Sequence, residues 1–201
     1  MRTKENTISA TQLSTELLLK AYSLGIFPMA ESNGGEIFWY SPDPRTILPL
    51  DNFKVSRSLR QIIRKKLFEV RFDTAFEKVI CGCAQRNETW ISEEIIRSYT
   101  ELFFHGFAHS VEVWRNEKLV GGLYGVSVGA AFFGESMFSV ERDASKVALY
   151  YLIERLKEKQ FELLDTQYTT EHLKHFGAIE ISRQEYLIKL SHAIANKITD
   201  F

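Results

Sequence analysis

A change of period in the middle of the chain limits the fold more than any other feature. Residues 110–114 alternate, with Val111 and Val113 on one face. The turn Arg115-Asn116-Glu117-Lys118 follows, and 119–126 and 130–139 continue as strands joined by short loops, which makes antiparallel neighbours. The period then becomes helical. A helix starts near 143 or 145 and runs to about 159, with Leu149, Leu152, Ile153 and Leu156 as its apolar stripe. A strand over 161–167, a short helix over 170–176 stopped by Gly177, a strand over 178–181 and a helix over 183–195 complete the chain. Three antiparallel strands followed by helix, strand, helix, strand predict an α+β fold, a mixed sheet with helices against it.

The first half reads as helices with little strand. Residues 14–24 carry Leu17, Leu18, Ala21 and Tyr22 at helical spacing, Gly25 ends them, and Pro28 marks a turn. A loop is expected over 32–35, a short strand over 36–40 and a turn at Ser41-Pro42-Asp43-Pro44. The helix over 56–67 is two-sided, with Leu59, Ile62, Ile63 and Leu67 opposite Arg57, Arg60 and Arg64. Helices over 73–84 and 92–105 follow, the second opened by Ser92 with Glu93 and Glu94 in its first turn.

Composition excludes several classes. The 201 residues are 45% apolar, too many for a disordered chain, and two cysteines, Cys81 and Cys83, cannot make a disulfide scaffold. No apolar run approaches the roughly 18 residues that span a bilayer, and the polar stretch 1–12 lacks a signal core, so a cytoplasmic protein without membrane attachment is expected. The five histidines and two cysteines show no ligand spacing, so no metal and no cofactor is expected. A net charge of -1 argues against a polybasic protein but hides a local excess. Between 54 and 71 stand Lys54, Arg57, Arg60, Arg64, Lys65, Lys66 and Arg71 against one acid, Glu69. A solvated helix face would explain such a run, and so would a surface for phosphates.

The order of elements resembles the acetyltransferase-like acyl-transfer fold known as GNAT. A fold does not imply a function. Coenzyme-A-dependent members carry a glycine-containing loop before the central helix, whose amides hold a pyrophosphate. Here residues 138–145 hold no glycine and two acids, Glu141 and Asp143, which oppose an acyl-CoA donor. The strings G-I-F-P-M (25–29), F-W-Y-S-P-D-P-R (38–45), T-W-I-S (89–92), A-H-S-V-E-V-W (108–114), L-V-G-G-L-Y-G-V (119–126), F-F-G-E-S-M-F-S (132–139) and L-L-D-T-Q (163–167) occur in that order. Together they resemble the leucyl/phenylalanyl-tRNA–protein transferase family over nearly the whole chain. The resemblance implies a small N-terminal α/β domain over 1–43 and a GNAT-type catalytic domain over 44–201. It implies transfer of Leu or Phe, or Met, from aminoacyl-tRNA to the N-terminal Arg or Lys of an acceptor protein, which creates a degradation signal. Leu-tRNA, Phe-tRNA and acceptor N-termini are then the partners. Transfer to acidic N-termini, an acyl-CoA-dependent N-acetyltransferase and a non-catalytic RNA-binding module are the alternatives. No heptad or exposed apolar helix suggests assembly, so a monomer is expected.

The chemistry needs aligned reactants and stabilisation of an oxyanion, with a modest base for the amine proton. Asp165 and Gln167, two apart on a strand, share a face, an arrangement that equally suits polar groups capping the next loop. The resemblance makes them the catalytic pair, Gln167 orienting the amine and Asp165 acting as relay or electrostatic partner. Glu135, a carboxylate inside an apolar strand, needs a partner. It would bind the incoming N-terminus. By the resemblance, Leu123, Phe132, Leu149, Leu152 and Leu156 form the donor's apolar pocket. Trp90 stacks the terminal adenosine, and Met29 stands where the family usually has a second tryptophan. Arg57, Arg60, Arg64 and Lys65 would hold the tRNA acceptor stem.

Overall fold

The computed structural model describes residues 13–31, 35–85, 89–196, 198 and 201. The polar stretch 1–12 and residues 32–34 of the expected loop lie outside them. Seven α-helices, one short 3-10 helix (Leu50–Asn52) and nine strands stand among the described residues. Helix α1 is Thr15–Ser23, and β1 (Phe27–Ala30) pairs antiparallel with β2 (Ile37–Tyr40) in a two-stranded ribbon. Then come β3 (Arg45–Ile47), α2 (Arg57–Arg64), β4 (Glu69–Phe72), α3 (Phe76–Ala84) and α4 (Glu93–Phe104). The strands β5 (Ala108–Arg115), β6 (Lys118–Val128) and β7 (Ala131–Ser139) lead into α5 (Ala144–Glu158). The chain closes with β8 (Leu163–Gln167), α6 (Glu171–His175), β9 (Ile179–Ile181) and α7 (Arg183–Ala195).

Seven strands form one mixed sheet in the order β4-β5-β6-β7-β8-β3-β9. Only β7 and β8 run parallel, joined by the α5 crossover; the other neighbours are antiparallel. One face is covered by α1, α3, α4 and α7, with Tyr22, Val79, Tyr99 and Leu190 in its core. The other is covered by α2, α5 and α6, with Leu59, Leu152 and Leu173 buried there. This is the mixed α/β, GNAT-type architecture that the element order predicts, with the helix-and-ribbon segment in front.

Side-chain caps set many helix starts. Ser14, Ser56, Ser92, Thr170 and Ser182 each accept a backbone N–H from three residues on, at 3.1–3.3 Å. Where expected boundaries fail, backbone chirality explains it. The helix expected from 73 starts at Phe76 because Asp73 is left-handed, φ 57°, with its carboxylate accepting the Ser110 N–H at 2.7 Å. The helix expected to 67 ends at Arg64, ahead of Lys66 at φ 49°. Pro28 is not a turn residue but lies within β1, opposite Trp39. A two-stranded ribbon leaves β1 an outer edge, where a residue without N–H costs no ladder bond. Two further short strands, β3 and β4, are absent from the sequence reading.

Candidate active site

The sheet opens where β7 and β8 part. Their parallel pairing runs from Ala131↔Leu163 to Phe133↔Asp165 and stops. Beyond it lies a cavity of about 310 Å³, walled by Gly134, Glu135, Ser136 and Met137 on one side and Thr166, Gln167 and Tyr168 on the other. Its lining draws on both faces of the sheet, Tyr124 from one core and Leu123 from the other. A register shift aims the carboxylate. Tyr124 faces Ser136 and Gly125 faces Gly134, which leaves Glu135 as the extra residue of a β-bulge. Gly134 meets no crowding: an added Cβ would find its nearest atom, the Asp165 carbonyl oxygen, at 3.6 Å.

Glu135 sits in a hydrogen-bonded group drawn from four elements. Its Oε1 accepts from the Tyr22 hydroxyl of α1 at 2.7 Å and from Gln167 Nε2 at 3.2 Å. Behind Tyr22 stands the Tyr99 hydroxyl of α4, in hydrogen-bond contact with it. Burial pushes the Glu135 carboxyl up to about 8; the Tyr22 hydrogen bond opposes this and the Asp165 charge adds to it. Burial and then the charge of Glu135 hold both tyrosines well above the ordinary phenol range, so they serve as donors.

Asp165 lies deeper. It is fully buried and does not line the cavity. Arg45 Nε donates to its Oδ1 and Oδ2 at 3.0 and 3.2 Å, and Arg45 Nη2 donates to Oδ2 at 2.5 Å. Tyr186 of α7 adds a hydroxyl at 2.7 Å. The guanidinium is also buried, with its carbon 4.7 Å from the Phe27 ring centre and 4.6 Å from that of Tyr186. Burial works against this cation, but Asp165 outweighs it and the Arg45 pKa is raised. The Asp165 Oδ1 accepts the backbone N–H of Gln167 at 2.8 Å. Gln167 ends β8 in a left-handed conformation, φ 56°, and this bond holds the turn that points its amide at Glu135. Geometrically, Asp165 positions Gln167, and Gln167 and Glu135 face the cavity.

The apolar wall is formed by Leu123, Leu149 and Leu152, together with Leu164 and Leu173. Phe132 and Leu156, expected with them, are not in that wall. Phe132 is fully buried against Phe201, ring centres 5.3 Å apart, and Leu156 is in the same core. Leu156 lies about 10 Å along the helix from Leu149, at 1.5 Å per residue, beyond the reach of the cavity. Trp90 and Met29 both line it. Arg57, Arg60, Arg64 and Lys65 are exposed along α2 and its end, on the face of the sheet that holds the apolar wall. Arg71, counted in the same charge run, is instead paired with Glu69 at 2.6 Å and Glu117 at 3.2 Å.

Sequence reading missed Tyr22, Tyr99, Tyr186 and Arg45 as site residues. Tyr22 reads as one more apolar residue of a helical stripe, and Arg45 as the end of a turn. Only the partner 120 positions away gives Arg45 its meaning. The segment before α5, where an acyl-CoA enzyme would hold pyrophosphate, carries Glu141 bound to Arg115 at 2.7 Å and Asp143 bound to Lys146 at 2.6 Å. Among the described residues, no three His, Cys, Asp or Glu side chains gather to hold a metal ion, and no helix is long and apolar enough to cross a membrane.

The chain resembles known proteins over most of its length. Residues 47–191 match the family described as leucyl/phenylalanyl-tRNA protein transferase, and residues 11–43 match its N-terminal domain. The leucyl/phenylalanyl-tRNA–protein transferase of Gloeobacter violaceus is 55% identical over 183 residues, 91% of this chain and 95% of that protein. That of Paramagnetospirillum magneticum is 55% identical over 188 residues, covering 91% and 90%.

Proposed function

The chain belongs to the leucyl/phenylalanyl-tRNA protein transferase family, and from that premise we infer that the cavity between β7 and β8 is its transfer site. Its reaction is tRNA-dependent aminoacyl transfer to the N-terminal residue of an acceptor protein. The observation that carries the site assignment is the Gln167–Glu135 contact of 3.2 Å on the wall of a cavity with an apolar end.

The acceptor's α-amine attacks the ester carbon that joins the amino acid to the terminal ribose. A C–N bond forms, the C–O bond to the ribose breaks, and the amine proton ends on the released ribose oxygen. An α-amine has a pKa of about 7.7–8.0. Glu135, pushed up to about 8, matches it, so a proton passes between them at little cost. Gln167 orients the amine through its amide oxygen while its Nε2 holds Glu135. Asp165 and Arg45 keep Gln167 in place. Leucine or phenylalanine fits the wall of Leu123, Leu149, Leu152 and Leu164, which rejects other aliphatic side chains only partially, since a methylene is worth about 1–3 kcal/mol. Trp90 and Met29 cover the terminal adenine, and Arg57, Arg60, Arg64 and Lys65 meet the acceptor-stem phosphates. The work takes place in the cytoplasm, on N-terminal Arg or Lys, whose guanidinium or ammonium group can donate a hydrogen bond to the Glu135 carboxyl oxygen. The test is an assay of labelled Leu-tRNA with four peptides differing only in N-terminal Arg, Lys, Asp or Glu. Label is expected on the Arg and Lys peptides. Label on Asp and Glu alone overturns the acceptor assignment.

A further inference from the structure

The transfer step leaves one hydrogen-bonded group unused, toward the end of the sheet where β7 and β8 begin. His109 of β5 donates through Nδ1 to Asp73 Oδ2 at 2.8 Å, and its Nε2 shares a hydrogen bond with the Ser127 hydroxyl at 3.1 Å. Asp73 is held in turn by the Ser110 N–H. An imidazole tied at both nitrogens has a fixed orientation. Its flat face meets the Phe201 ring, with centres 4.2 Å apart and planes 23° from parallel. Phe132 of β7 stacks on the same ring at 5.3 Å and 21°. Strands β5 and β7 flank β6 and so lie about 9.6 Å apart at two strand spacings, a gap that one ring fills in contact with both neighbours. Phe72 and Phe161 meet Phe201 edge-on, and Arg155 Nη2 of α5 donates to its carbonyl oxygen at 2.9 Å. The Phe201 side chain is buried.

Phe132 lies directly beneath the apolar wall of the cavity. It is the register partner of Leu164, which stands in that wall. Its ring covers Gly125, where an added Cβ would come within 2.4 Å of Phe132 Cε1. Leu123, two residues from Gly125 and so on the same face of β6, is also in the wall. On β7 the residue two beyond Phe132 is Gly134, which lines the cavity and has no side chain to separate it from the ring. The position of the Phe132 ring therefore sets how deep the apolar end reaches, and a close-packed core transmits any shift of its neighbours. We propose that Phe201, clamped between the fixed imidazole of His109 and the Phe132 ring, determines donor specificity: by holding Phe132 up beneath Leu123 and Leu164, it sets the size of the amino-acid side chain accepted from aminoacyl-tRNA. Phe201 touches no reactant and acts through Phe132, so its role is positioning. This rests on the transferase reading above.

The test measures kcat/KM for transfer to one Arg-initiated peptide from Leu-tRNA and from Phe-tRNA, and takes the ratio of the two. Phe201→Leu gives Phe132 room to sink and should raise the Phe-to-Leu ratio by about tenfold, the low end of what one methylene changes in an apolar pocket. Phe201→Trp crowds Phe132 toward the cavity and should lower the ratio by a similar factor. A lesion that is only structural lowers stability and slows both donors alike. In a Phe132→Leu background, Phe201→Leu should shift the ratio by less than about twofold, because residues that act through one contact are not additive. An unchanged ratio in folded Phe201→Leu, or a ratio that moves the same way in both variants, overturns the role of Phe201 while transfer itself stands. A full shift of about tenfold in the Phe132→Leu background overturns the route through Phe132. No product from either donor with the wild type overturns the transferase reading itself.

Discussion

Replacing Arg45 with methionine should separate the stability of this enzyme from its activity. Arg45 and Asp165 are both essentially inaccessible, 1% and 0% exposed, and are joined by three hydrogen-bond contacts of 2.5–3.2 Å. Methionine matches the stem but leaves the Asp165 carboxylate buried with only the Tyr186 hydroxyl and the Gln167 N–H. Breaking a buried pair from one side costs about 3–5 kcal/mol. The lost bond from Arg45 Nη1 to the Gly25 carbonyl, 3.2 Å, loosens the turn between α1 and β1 as well. With a urea m-value of about 2 kcal/mol per molar, the unfolding midpoint falls by about 1.5–2.5 M. The double variant Arg45→Met, Asp165→Leu removes both charges, and an apolar replacement of a buried pair is often neutral. Most of the lost stability should therefore return. Activity should not, because the left-handed turn at Gln167 has lost the carboxylate that accepts its N–H. Urea unfolding followed by fluorescence, with transfer measured on the same preparations, reads both quantities. A single variant destabilised by less than about 1 kcal/mol, or a double variant with wild-type transfer, would refute this reasoning.

Three further outcomes follow from the same geometry. Glu135 becomes a base only as pH rises through about 8, and the acceptor amine loses its proton in the same range, so log kcat/KM should rise with slope two below neutrality in wild type and slope one in Glu135→Gln; identical slopes would remove Glu135 from the proton path. Met29→Trp adds an aromatic face to the cavity wall and should lower the KM for Leu-tRNA by about fivefold, the low end of one base stack; an unchanged KM places the adenine elsewhere. Arg60→Ala with Arg64→Ala should weaken tRNA binding and reduce the slope of log affinity against log salt by about 1.4–1.8, as two phosphate contacts require; an unaltered slope makes the basic face of α2 a solvated one.

The long elements are legible in the sequence because their signals are local. The last helix reads as 183–195 and is observed as Arg183–Ala195, since Ser182 caps one end and the apolar period runs out at the other. The three missed strands have three or four residues each, too few to show alternation, and they exist because of partners: β3 lies between β8 and β9, and β4 against β5. The site divides in the same way. Glu135 and Gln167 stand out as polar residues in apolar strands, and the cavity brings them together. Helical spacing marks Leu149, Leu152 and Leu156 alike, but it does not say where along the helix a cavity ends. The β-bulge that aims Glu135 is a register property of two strands, and Arg45 is defined by a carboxylate across the sheet. Neither is written in its own neighbourhood.

A single-turnover assay tests the central claim most directly: Leu-tRNA and an Arg-initiated peptide, with the product identified by mass spectrometry. Wild type should place one leucine on the peptide N-terminus. Gln167→Ala, folded by circular dichroism, should do so at a rate lower by about a hundredfold or more. Wild-type rates in that folded variant, or acylation from acetyl-CoA in place of Leu-tRNA, would contradict the assignment of transfer to the cavity between β7 and β8.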